Sequence, residues 1–136
     1  MNTAIATPKE VAVAWFERVW NQRSREAIHE LMAADGLAHQ EGGALLRGPG
    51  EFTKFHDALF AAFPDLTLRI LHSVGDEEQA AVHWEAAGTH CGELMGIPAS
   101  QKAVVFSGMS FVQVKDGQIT NGWDSWNVGG LLAKLA

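Results

Sequence analysis

The spacing of apolar residues changes at Pro64, and this change limits the folds that the chain can adopt. Before Pro64 apolar residues recur every three or four positions, as in helices with one buried face. After it they alternate with polar residues, as in strands. Helices followed by consecutive strands predict an α+β fold, with the helices packed on one face of a strongly curved, mainly antiparallel sheet. Such a sheet closed by helices forms a cone with an apolar interior, which is a natural pocket for a small molecule.

Short motifs predict where the helices begin and end. Residues 7–10, Thr-Pro-Lys-Glu, have the spacing of a capping box with proline at the first helical position. Ser24 is placed to cap a second short helix, and Gly-Pro at residues 48–49 opens a third, which Pro64 ends. Residues 128–136 are predicted to form a short terminal helix or a tail.

Long strands are predicted beyond Pro64, and a short extended segment is predicted between the second and third helices. Asp-Gly at residues 116–117 is a strong hairpin signal, because glycine tolerates the positive φ of a tight turn. The predicted extended segments are residues 37–41, 67–74, 79–90, 102–114 and 118–126.

The apolar positions of these helices and strands predict the core. At 136 residues the chain has the length of one domain, and we predict a single domain over residues 1–136. Residues predicted to be mostly buried are Val11, Trp15, Val19, Phe52, Phe55, Phe60, Val82, Trp84, Val104, Phe106, Val112 and Ile119.

Charge and cysteine content narrow the range of partners and compartments. The net charge of −6 argues against nucleic acid or an anionic membrane as the main partner, since both require a basic face. The longest apolar runs, such as residues 58–63, are too short to span a membrane. Cys91 is the single cysteine, and no signal peptide is recognisable, so we expect a cytoplasmic protein without disulfides.

Asp124 is the strongest candidate for chemistry, because it lies on the last predicted strand beside Trp123 and two residues before Trp126. A carboxylate next to large apolar rings loses solvation, so its pKa is expected to rise. A carboxyl group with a raised pKa can exchange protons near neutral pH as a general acid or base. The alternative is a surface aspartate near the end of a strand.

Several segments resemble the SnoaL-like polyketide cyclases. Residues 88–98, Gly-Thr-His-Cys-Gly-Glu-Leu-Met-Gly-Ile-Pro, are similar to that family's Gly-Thr-His-x-Gly-Glu-x-x-Gly-x-Pro segment. Residues 116–119, Trp123-Asp124 and residues 130–132 resemble its Asp-Gly-Lys-Ile turn, last strand and Gly-Leu-Leu ending, and residues 48–65 resemble its middle helix. The resemblance implies the cystatin-like α+β barrel of ketosteroid isomerase and nuclear transport factor 2, assembled as a homodimer or homotetramer.

The resemblance also implies a reaction and a set of residues. The characterised cyclases close a ring in an aromatic polyketide ester by an intramolecular aldol step, without a metal or an organic cofactor. Their acid/base aspartate matches Asp124, and a polar residue after the second helix matches His39. Ser110 stands where these enzymes have an assisting histidine, and serine cannot act as a base near pH 7. His39 and Ser110 are therefore expected to bind or polarise the substrate carbonyl.

Other residues are candidates for substrate binding. Four have a second interpretation. His90 could instead orient the following loop through a backbone hydrogen bond, and Met95 could belong to an ordinary hairpin connection rather than a loop over the pocket mouth. Trp15 and Phe55 lie at helical spacing and could be core residues only. Because no His-Glu-x-x-His motif or close His/Cys cluster occurs, no metal site is expected. The binding candidates are Trp15, Phe55, His90, Met95, Trp123 and Trp126.

Three functions are compatible with the sequence. The first is a cofactor-independent enzyme that transfers a proton next to a carbonyl in a small aromatic or polyketide compound. The second is an isomerase or epoxide-hydrolase-like enzyme on the same fold, and the third is a non-catalytic module that binds a small ligand. The aromatic flank of Asp124 favours chemistry, whereas serine at position 110 favours divergence from the characterised cyclases.

Overall fold

The computed structural model of the chain describes residues 6–135. Within that range the helices are α1 (Pro8–Ala14), α2 (Arg25–Leu31), α3 (Gly48–Ala62) and α4 (Val128–Leu135), and α1 continues as a π-helical segment over Trp15–Asn21. The strands are β1 (Met32–His39), β2 (Leu45–Arg47), β3 (Thr67–Gly75), β4 (Gln79–Thr89), β5 (Ala103–Lys115) and β6 (Gln118–Trp126). The predicted order of helices first and long strands afterwards is confirmed.

The helix starts follow from the predicted caps. The Thr7 hydroxyl accepts from the Glu10 amide at 3.2 Å, and the Glu10 carboxylate accepts from the Thr7 amide at 2.9 Å, so the capping box is complete. The Ser24 hydroxyl accepts from the Ala27 amide at 3.1 Å at the start of α2. These side chains satisfy amide groups that have no partner within the helix. The predicted helix starts are therefore confirmed.

All six strands form one sheet in the order β2-β1-β6-β5-β4-β3. The pair β1–β6 is parallel and the other pairs are antiparallel, so the prediction of a mainly antiparallel sheet is confirmed. Two features of the strand positions were not predicted. β1 begins at Met32, although the sequence predicts extended structure only from residue 37, and β2 is an additional short edge strand.

The core lies between the helices and one face of the sheet. On β4 every second residue is buried, and the residues between them face outward. Of the twelve residues predicted to be buried, nine are buried, while Phe55, Phe60 and Val112 are half-buried and pack against the core. The buried residues on β4 are Ala80, Val82, Trp84 and Ala86.

Gly108 on β5 allows the Trp84 indole to approach the backbone of the sheet closely. A Cβ atom at this position would lie 2.6 Å from the Ser125 carbonyl oxygen and from the Trp126 Cβ, and 2.7 Å from Trp84 Cζ2. Because two of these atoms belong to a neighbouring strand at the backbone or Cβ level, they cannot simply rotate away. Gly108 is thus required for the packing of two tryptophans.

We predict that Gly108→Ala lowers the free energy of unfolding by about 1–3 kcal/mol, the usual cost of overpacking. Gly122→Ala on β6 is the matched control, because no heavy atom lies closer than 3.7 Å to its added Cβ. That change should be neutral or stabilise by up to about 1 kcal/mol, since alanine restricts the unfolded chain more than glycine. Urea denaturation of both variants checks this, and equal stabilities would contradict the packing argument.

Candidate functional site

A cavity lies between the helices and the inner face of the sheet. Its volume is about 80 Å³, whereas one water needs about 10–15 Å³. The cavity can therefore hold a small organic molecule. Among its lining residues in the described part of the chain, three have polar side chains that are not indoles: Gln40, Ser110 and Asp124.

The helical wall of the cavity is aromatic. Trp15, Phe16 and Trp20 of the π-helical segment all line it, together with Phe52 and Phe55 of α3. A π-helix bonds residue i to residue i+5, so Trp15 and Trp20 lie one turn apart on the same side. Their rings contact Phe52 edge-on, with centroids at 4.9 and 6.0 Å. The widened turn thus directs two indoles into one apolar wall.

Asp124 is held at the polar end of the cavity by two hydrogen bonds. The Ser110 hydroxyl donates to one carboxylate oxygen at 2.5 Å, and the Gln40 amide donates to the other at 3.1 Å. The Trp84 indole N–H donates to the Ser110 oxygen at 3.0 Å. Because Ser110 accepts from the indole, its own proton is directed at Asp124.

Burial raises the pKa of Asp124 above its ordinary value, and the hydrogen bonds from Ser110 and Gln40 oppose this rise only in part. The Asp124 residue is half-buried by surface area, and it lines a cavity whose other walls are mostly apolar. Loss of solvation therefore dominates, as it does for other carboxyl groups in apolar pockets. Asp124 can hold a proton at a higher pH than a surface aspartate can.

The register between neighbouring strands brings Ser110 and Asp124 together. Ser110 on β5 is directly paired with Asp124 on β6, and Val82 on β4 is paired with Ser110. Side chains directly opposite each other on neighbouring strands point to the same face. Trp126 lies two residues beyond Asp124 and therefore shares that inner face.

Five of the predicted site residues line the cavity, and four do not. The carboxyl group, the serine and three apolar rings that were predicted from the sequence meet around one space. The residues that line the cavity are Asp124, Ser110, Trp126, Trp15 and Phe55, and those outside its wall are His39, Trp123, His90 and Met95.

His39 and Trp123 lie on the outer face of the sheet, contrary to the expectation that they would line the pocket. They are paired in register on β1 and β6, and their rings stack with centroids 4.9 Å apart and planes within 5°. Trp123 precedes Asp124, and neighbouring strand residues point to opposite faces. The polar group that His39 was expected to supply comes instead from Gln40, which the sequence analysis missed.

His90 and Met95 also lie outside the cavity wall. His90 is fully buried beside Phe63, and its Nδ1 atom lies 2.9 Å from the Ser100 hydroxyl and accepts from the Ser100 amide at 3.1 Å. These contacts fit the loop-orienting interpretation of His90. Met95 is 60% exposed in the turn between Leu94 and Ile97.

Residues 6–135 offer no cluster of three or more His, Cys, Asp or Glu side chains suited to a metal ion. Over the same range, no helix has the length and apolar character needed to cross a membrane.

Comparison with known proteins identifies the family of this chain. A sequence model of the SnoaL-like polyketide cyclase family matches residues 10–135, which is most of the chain. The chain belongs to the SnoaL-like polyketide cyclase family. The resemblance noted in the sequence is thereby confirmed, and the structure has the cone-shaped α+β fold that this family shares with nuclear transport factor 2.

Solved structures share this fold. A SnoaL-like protein from Jannaschia sp. CCS1, provisionally assigned as a polyketide cyclase, has a TM-score of 0.87 at 16% identity, covering 98% of this chain and 97% of that one. IdmH from Streptomyces antibioticus, also provisionally a polyketide cyclase, has a TM-score of 0.84 at 25% identity, with 96% and 99% covered. AclR from Streptomyces galilaeus, provisionally a hydroxylase, has a TM-score of 0.82 at 23% identity, with 94% and 80% covered. No curated protein matches this SnoaL-like chain.

The raised pKa of Asp124 predicts a specific dependence of stability on pH. The folded state keeps this proton at pH values where the unfolded chain has lost it, so this group lowers stability as pH rises through its folded pKa. We predict that Asp124→Asn raises the unfolding free energy at pH 7. The gain should shrink as the pH falls towards about 4, where the aspartate is also protonated in the unfolded chain.

Asp65→Asn is a control in which the unfolding free energy at pH 7 should change in the opposite direction. Its carboxylate accepts from the Thr89 amide at 2.7 Å and from the Thr89 hydroxyl at 2.8 Å, and these bonds lower its pKa. Asp65→Asn should therefore reduce stability at pH 7, and the loss should diminish on acidification. Urea titrations of both variants between pH 4 and pH 8 measure this. The same sign for both changes would contradict the assigned environment of Asp124.

Proposed function

We propose that this protein is a cofactor-independent enzyme that transfers a proton at the carbon next to a carbonyl group. Its substrate would be a small aromatic or polyketide carbonyl compound, and the full reaction an intramolecular aldol-type ring closure. One observation carries this proposal: an aspartate with a raised pKa stands at the polar end of an otherwise apolar, aromatic cavity. Such a carboxyl group is suited to accept a proton and return it near neutral pH.

In the proposed mechanism the Asp124 carboxylate removes a proton from the carbon next to the carbonyl, which leaves an enolate. The enolate carbon then attacks a second carbonyl carbon of the same molecule and forms the new carbon–carbon bond. The resulting alkoxide takes the proton back from Asp124. The aromatic walls would hold the substrate rings so that the two carbons meet, which replaces a search in solution by a fixed orientation.

Ser110 and Gln40 have different parts in this scheme. Ser110 donates to Asp124 while accepting from Trp84. In this scheme it therefore orients the carboxyl group. The sequence had suggested a different role for Ser110, that of polarising the substrate carbonyl. Gln40 uses one amide N–H for Asp124, and in this scheme its second N–H would donate to a carbonyl oxygen of the substrate. Gln40 therefore takes the role expected of His39.

We predict that Asp124→Asn lowers turnover by about 10²–10⁴-fold, the usual loss when a general acid/base is removed. The assay is hydrogen–deuterium exchange at the methyl group of an aryl methyl ketone in D₂O, followed by NMR, which isolates the proton-transfer step. Asp116→Asn is the matched control, because Asp116 lies in the β5–β6 turn with a φ of 53°, which asparagine also adopts. Exchange at the wild-type rate in Asp124→Asn would exclude the mechanism.

Ser110→Ala separates positioning from proton transfer in the same assay. The Ser110 hydrogen bond lowers the pKa of Asp124, so its removal should move the pH–rate profile to higher pH. A purely structural role for Ser110 would lower the rate without moving the profile.

We further propose that two copies associate through the outer face of the sheet. Four exposed apolar side chains lie on this face of β5 and β6: Val105, Met109, Phe111 and Trp123. An exposed apolar patch of this kind is typical of an interaction surface, and a face that pairs with itself gives a closed dimer.

Phe111→Glu should convert this dimer into a monomer, because it places a charge in the centre of the apolar patch. Met95→Glu is the matched control, since Met95 is 60% exposed but lies in a loop away from the sheet. Light scattering at micromolar concentration measures the mass of each variant. A wild-type monomer, or an unchanged dimer in Phe111→Glu, would contradict this interface.

A further inference from the structure

Two histidines form a pair on the outer face of the sheet, away from the cavity. His72 on the edge strand β3 is in register with His83 on β4, next to an irregularity between Ile70 and His72. Their rings are parallel within 4°, with centroids 5.3 Å apart, and their Nδ1 atoms are 3.1 Å apart. The proposed proton transfer uses neither residue, so the pair needs a separate explanation.

The separation of the two Nδ1 atoms is that of two ligands on one metal ion. Metal–imidazole bonds of about 2.0–2.1 Å that meet at about 90–109° place neighbouring nitrogens about 2.9–3.4 Å apart. The observed 3.1 Å falls within this range. The hydrogen bond between the rings therefore holds both nitrogens at a chelating distance before any ion binds. It points the two Nδ1 atoms at each other, so each ring must rotate slightly to turn its lone pair towards a shared ion.

The surroundings do not repel a cation at this position. The nearest charged groups on the same face, Arg69 and Glu85, are paired with each other at 2.9 Å and leave little net charge beside the histidines. The other neighbours in register on this face, Val74, Ala81 and Met109, are uncharged. His72 is exposed on the edge strand, so an ion can reach it from solvent.

We propose that His72 and His83 chelate a divalent transition-metal ion of the class that prefers imidazole, namely Cu²⁺, Ni²⁺ or Zn²⁺, with water in the remaining positions. On binding, the ring that donates through Nδ1 releases that proton to water and takes one up on Nε2, so each ring carries one proton, on Nε2. Both rings remain neutral. Since protons compete with the ion for the same nitrogens, binding weakens in acid.

Cu²⁺ is the most sensitive probe, because it binds nitrogen ligands most tightly among these ions. Titration calorimetry of the tag-free protein with CuCl₂ at pH 7.5 should show one ion per chain, and electron paramagnetic resonance should show nitrogen coupling. His72→Gln and His83→Gln should each weaken Cu²⁺ binding by about 10²-fold, because the remaining histidine binds the ion without a second ligand held close to it. His29→Gln on the exposed side of α2 is the matched control and should bind as the wild type does.

A second measurement keeps the test independent of folding defects in the variants. ZnCl₂ should raise the Tm of the wild type, since an ion that binds only the folded state stabilises it, and should not raise that of His72→Gln. Copper affinity equal to the wild type in a folded His72→Gln or His83→Gln variant would overturn the proposal. A comparable loss in His29→Gln would also overturn it, because binding would then be a property of scattered histidines.

Discussion

The hydrogen bond between Ser110 and Asp124 is the interaction on which the candidate site depends. A carboxyl group at the end of an apolar cavity costs free energy unless donors replace the lost water. Ser110 and Gln40 supply these donors, and Trp84 fixes the direction of the Ser110 proton. Since Ser110, Trp84 and Asp124 lie on three neighbouring strands, a slip of one residue in any pairing would turn one of them to the opposite face.

Much of the fold could be predicted because its signals are local. The capping box at residues 7–10, the Asp-Gly turn at residues 116–117 and the alternation along β4 each act within a few residues, and the structure has all three. The parallel pairing of β1 with β6 depends on contacts between distant segments, which no short pattern encodes. For the same reason the early start of β1 and the short strand β2 were not predicted.

The site was predicted where the strand period was applied and missed where it was not. Asp124 and Trp126 are two residues apart and share the inner face, whereas Trp123 must face outward by the same rule. His39 follows Trp123 to the outer face because the two are paired in register. Gln40 follows His39 within the predicted extended segment 37–41, and Ala38 and Gln40 both line the cavity, so the same alternation could have indicated that Gln40 faces inward.

Alternation along β4, β5 and β6 also separates the side chains that line the cavity from those on the outer face of the sheet. Trp84, Ser110 and Asp124 face the cavity, whereas the residues immediately before them, His83, Met109 and Trp123, face outward. A substitution at an inner position therefore acts on the acid/base group and its donors. A substitution one residue earlier acts on the outer surface, where assembly and metal binding are proposed. Because the backbone separates the two faces, either set of side chains can change while the strand pairing that positions the other is kept.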